Sequence, residues 1–136
     1  MSYNAGHGNV SINFNICDYA FRTCPDDMAD FANMINENNT CSHMSSQSLS
    51  DVGVALIDTE NPELGLTLKF TGGNKCNATA YYALVVQLNC DAYATQTFMQ
   101  LDLDSIATSE CSPRVIMTSK AACPVLTFGA LWQFFN

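Results

Sequence analysis

The segment that most constrains this chain is GlyLeuThrLeuLysPheThrGlyGly (65–73), followed by Cys76, AlaLeuValValGlnLeuAsnCysAsp (83–91) and AlaAlaCysPro (121–124). An apolar strand with alternating Leu66, Leu68 and Phe70 runs into a Gly-Gly turn. A second apolar strand closes on Cys-Asp, and a last one closes on Ala-Cys-Pro. Residues 81–88 are almost all apolar and either β-branched or aromatic, which predicts a central strand covered on both faces. Val10, Ile12, Phe14 and Ile16 alternate with Ser11, Asn13 and Asn15, and Val52, Val54 and Leu56 repeat the period of two, so each predicts a strand with one buried face. Phe98 to Leu103 and Val115 to Met117 add two more strands.

One stretch departs from this pattern. Pro25 and Asp26 suit a helix start, Asp30 favours its first turns, and Met28, Phe31, Met34 and Ile35 share one helical face. A short amphipathic helix is therefore expected near 26–37, between Cys24 and Cys41, with its Met/Phe stripe covering the β core. Residues 42–51, rich in serine, read as a polar loop.

The chain of 136 residues is long enough for one domain. Seven cysteines, none in a C-x-x-C pair, argue against a zinc or thioredoxin-like reading and for disulfides in an oxidising compartment. The sequons at Asn9, Asn38 and Asn77 agree with a secretory, lumenal or extracellular setting. A net charge of −8 leaves no basic stripe for nucleic acid. No apolar run reaches the roughly 18 residues of a membrane helix, and the polar opening MetSerTyrAsn is no signal peptide. A leader is expected to have been processed or excerpted.

Together these motifs resemble the mannose-6-phosphate receptor homology (MRH) domains, with the Cys-Asp and Ala-Cys-Pro endings as the most specific points. The resemblance covers about residues 9–124, with 1–8 as a lead and the apolar segment 125–136 as a last strand, a helix or the approach to a membrane segment or next module. It implies an all-β fold, a flattened antiparallel β-barrel of two crossed sheets stapled by disulfides. It also implies the pairs Cys76–Cys111 and Cys90–Cys123, with Cys24–Cys41 closing the early loop. Cys17 is left over, either as a buried free thiol or with a partner outside this chain.

MRH lectins surround a mannose ring with Gln, Arg, Glu and Tyr. A guanidinium fork and a carboxylate suit paired hydroxyls, and Tyr adds an OH on a rigid arm. The matching positions here are Ser42 for the Gln, Tyr82 for the Arg, Thr108 for the Glu and Pro113 for the Tyr, with Gln47 and Glu110 close enough to substitute. The sugar site is thus largely replaced.

Catalysis finds no support in the sequence. The two histidines, His7 and His43, lack a companion at metal-ligand spacing, and a Cys-His pair would need a free thiolate beside a base. Asp102 and Asp104, two apart on an expected strand, read as solvated acids. The expected function is a non-catalytic, protein-binding or structural module, without cofactor, of a secretory-pathway, cell-surface or extracellular assembly. A divergent mannose-type lectin or cargo-sorting domain, and a spacer ectodomain of a membrane protein, are the alternatives. Met28, Phe31, Met34, Trp132, Phe134 and Phe135 are the candidate protein-contact residues.

Overall fold

In a computed structural model the described residues are 2–7, 10–16, 18–26, 28–36, 38, 40–108 and 111–124, with side chains described from residue 10 onward except at 106–108. Cys17, Asn9, Glu110, Trp132, Phe134 and Phe135, named above, lie outside them, as does the side chain of Thr108.

The fold is all-β, in two sheets. The first holds β1 (Ser2–His7), β2 (Val10–Asn15), β3 (Ala32–Ile35) and β4 (Cys41–His43) in sequence order, all antiparallel. The second holds β5 (Val52–Leu56), β6 (Gly65–Phe70), β7 (Leu84–Cys90), β8 (Phe98–Asp102) and β9 (Arg114–Ser119) in the order β5-β6-β7-β9-β8. Strand β7 is central, as its continuous apolar run predicts, and Val86 and Leu84 are fully buried.

The core lies between the sheets. Ile12, Phe14 and Ala32 of the first face Leu68, Phe70, Leu84, Val86, Val115 and Met117 of the second, with Phe31, Met44 and Leu101 completing the cluster. The Phe14 and Phe70 rings meet across the interface, with centroids 6.4 Å apart and planes tilted by 54°. Such tilted aromatic pairs add about 0.5–1.5 kcal/mol beyond their area burial.

Three expectations are corrected. The helix near 26–37 is absent: 32–35 is strand β3, paired with β2 through Phe14↔Ala32 and Ser11↔Ile35 and with β4 through Ile35↔Cys41. Met28, Phe31 and Met34 share a helical spacing by coincidence, whereas Ala32 and Met34 alternate with Asn33 and Ile35 at the strand period, and β2 and β4 both need a partner. The Asp26 side chain accepts from Met28 N and turns the chain without starting a helix. Next, Asp102 and Asp104 do not share a strand. Strand β8 ends at Asp102, which accepts from Asp104 N and caps the short helix α1 (Leu103–Thr108). Finally, the sheets are not wholly antiparallel and are not closed by hydrogen bonds into a barrel. The connection through β8 and α1 brings β9 between β7 and β8, parallel to β7 from Val85↔Arg114 to Cys90↔Ser119.

Disulfides brace that parallel pair at both ends. Cys76–Cys111 lies before the two strands, Cys90–Cys123 joins the last residue of β7 to the turn after β9, and Cys24–Cys41 ties the early loop to β4. The sheets also join at the Gly72–Gly73 turn. Ser45 bridges to Gly72, whose φ of 85° suits glycine. A Cβ on Gly73 would lie 2.3 Å from His43 O and 2.6 Å from Tyr82 O, so only glycine fits there.

Candidate functional site

Two arrangements stand out, on opposite faces of the first sheet. The first is a buried polar row. Asn13, Asn33 and His43 are register partners on β2, β3 and β4, so their side chains line up on the face turned away from the core. The loop 18–31 covers them. Asn13 Nδ2 donates to Asn33 Oδ1 at 3.2 Å, and Asn33 Nδ2 donates to Asp30 Oδ1 at 2.9 Å and to Arg22 O at 2.7 Å. His43 donates from Nδ1 to Asp30 Oδ2, and from Nε2 to Asp26 Oδ2 at 2.7 Å. No fully buried side-chain polar atom among the described residues lacks a partner.

Burial alone would lower the His43 pKa, but hydrogen bonds to Asp26 and Asp30 outweigh it and hold the imidazole above its ordinary value. Asp30 is pushed up, chiefly by burial, while Asn33 and His43 pull it back. Asp26, at the solvent edge, is held low by its hydrogen bond to His43. The arrangement is a histidine bridging two acidic side chains. With both ring nitrogens engaged, His43 has none left to activate a nucleophile or ligate a metal. The sulfur of Cys24 lies within 4.8 Å of ligand atoms of Asp30 and His43, but it is committed to a disulfide and is no thiolate. Chemically, the row is suited to hold the loop 18–31 on the sheet.

Sequence reasoning missed this row. Asp26 and Asp30 fitted a helix start, and His43 stood apart from any second imidazole. The readable signal was Asn13 and Asn15 alternating with a core strand. Both are buried, because the outward face of β2 is covered as well.

The second arrangement is a cleft of about 230 Å³, lined by Val10, Ile12, Met34, Asn36, Cys76, Tyr82 and Pro113. The two positions that match the MRH Arg and Tyr, Tyr82 and Pro113, are therefore neighbours on one cleft. Ser42 is the register partner of the lining residue Met34. Gln47 lies elsewhere, exposed on the loop before β5, where its carbonyl accepts from Tyr19 OH.

Among the described residues the lining carries no ionisable side chain other than the Tyr82 phenol. Asn36 Oδ1 is occupied by the backbone N–H groups of Asn38 and Thr40. Pro113 is buried and offers neither a side-chain donor nor a backbone N–H. Tyr82 is positioned by its own N–H, which donates to Asn74 O. Asn74 in turn exchanges hydrogen bonds with the His43 backbone, so cleft and polar row share one support.

The proposed contact residues do not form one face. Met28 is exposed, Phe31 is in the core and stacked on Tyr19 with centroids 4.9 Å apart, and Met34 lines the cleft. Comparison of the chain with protein-family models gives no match, and comparison with curated proteins gives none either.

Proposed function

We propose that this chain is a non-catalytic MRH-type module of a secretory-pathway, cell-surface or extracellular assembly, working through protein contacts and not through mannose. The observation that carries this reading is the cleft, where Tyr82 and Pro113 come together among Val10, Ile12 and Met34. Two of the four positions that the resemblance assigns to a sugar site, Tyr82 and Pro113, share this cleft, and neither supplies a charged group. Sugar hydroxyls placed there would lose the guanidinium fork and the Tyr hydroxyl, at about 1–3 kcal/mol for each unpaired group. Binding of a monosaccharide at a millimolar Kd amounts to only about 4 kcal/mol. Two such losses, about 2–6 kcal/mol together, are comparable to the whole of it.

Three disulfides in a domain of this size fit an oxidising compartment. The sequon asparagines Asn38 and Asn77 are both exposed, as glycan attachment requires. The occupied ring nitrogens of His43 support the non-catalytic reading.

A glycan array probed with the isolated domain tests the proposal. No mannose-type glycan should be retained above background. Selective retention of high-mannose or phosphomannosyl glycans would favour the lectin instead.

A further inference from the structure

We propose that the open edge of β5 docks an extended apolar strand, flanked by basic residues, from another protein. This rests on the protein-contact reading above and gives it a surface and a partner chemistry.

Strand β5 ends the five-stranded sheet, and among the described residues no strand pairs with its far side. Its sequence, Val52-Gly53-Val54-Ala55-Leu56, has no charge and no proline. Exposed edges are usually blunted by Lys, Pro, a bulge or a covering segment, because unpaired backbone groups there template another strand. The opposite edge strand, β8, carries Gln100 and Asp102 and lies beside β1.

The side chains of β5 add a second argument. Val52 pairs with Phe70 and Val54 with Leu68, so these residues prolong the core face of β6 outward. Val52 is half-buried against the core, whereas the strand from Gly53 onward is exposed. Val54 is 65% exposed and Leu49 50%, and with Ile16 they border an apolar groove of about 250 Å³. A strand added to β5 would pair its backbone and place every second side chain in that groove.

Charge selects the occupant. Asp51 precedes β5, and Asp58, Glu60 and Glu63 fill the β5–β6 hairpin; Asp18 follows Ile16. Lys69 is the sole cation on β5 or β6. A second copy, also at −8, would set like charges together, whereas an apolar strand with Lys or Arg at its ends complements the rim.

The test is a fluorescence titration of the full chain with a labelled Val/Thr peptide carrying lysines at both ends. Saturable binding is expected, weakened by salt and weakened roughly tenfold or more by Val54→Asp, since a buried Val contact is lost. Circular dichroism of that variant should be unchanged, as Val54 faces solvent. Of two peptides N-methylated on alternate residues, one should lose binding and the other keep it. Equal affinity for a Glu-flanked peptide, indifference to Val54→Asp, or binding of both N-methylated peptides would overturn the proposal. So would a dimer that Val54→Asp disperses. Peptide binding that appears only after Phe128→Asp and Trp132→Asp would also overturn it, making the chain's own 125–136 segment the occupant. Sugar binding through Tyr82 would refute the protein-contact reading without touching this edge, so the two can fail separately.

Discussion

His43 is the residue on which the early loop depends. Substituting His43→Gln would leave Asp30 buried without its cationic partner, and removal of one member of such a pair costs about 3–5 kcal/mol. The pH response carries the same information. Because the folded pKa of His43 is raised above 6.5, its stabilisation is full below that value and is lost as pH rises through the folded pKa. Asp26 has the opposite sign: its folded pKa lies below 3.8, so its contribution is present above 3.8 and lost as pH falls through the lowered value. Asp30, raised by burial, contributes in the same sense as His43 but from lower pH: its stabilisation is full below 3.8 and is lost as pH rises through its folded pKa. Urea midpoints of the wild-type chain should therefore fall from mildly acidic toward alkaline pH, and His43→Gln should flatten that limb. Equal slopes in both proteins would show that His43 is not charged in the fold.

At the scale of elements, strands with a plain period of two were legible from sequence, and 32–35 was not. In 10–16 the apolar positions alternate without interruption, so β2 could be read directly. In 25–37 the pairing partners decide, and those become visible only when Asn13, Asn33 and His43 are in register. The same limit hid α1, a six-residue helix announced by little more than its cap at Asp102. The cleft was legible in part. The resemblance named Tyr82 and Pro113, but the lining by Val10 and Met34 depends on the first sheet packing beside them. Replacing Cys76 and Cys111 by Ala removes a bridge of sequence separation 35, about 4 kcal/mol on the chain-entropy model. The denaturation midpoint should drop accordingly, and more than for the Cys24–Cys41 pair of separation 17, worth about 3 kcal/mol. The reverse order would mean that strain or residual structure, and not loop closure, sets the bridges' contributions.

Taken together, the described residues form an acidic disulfide-bonded β domain with a cleft that no described cation lines and an apolar sheet edge beside several carboxylates. No helix among the described residues is long and apolar enough to cross a membrane. If the chain passes through the secretory pathway, native material should lose mass on amidase treatment at Asn38 and Asn77; an unchanged intact mass would count against that route. Whether the cleft of Tyr82 and Pro113, proposed above as an MRH-type site without its sugar chemistry, takes a sugar is read directly by titration calorimetry with mannose and mannose 6-phosphate. No saturable heat is expected for either ligand, with wild type and Tyr82→Ala indistinguishable; saturable binding that Tyr82→Ala abolishes would restore the lectin.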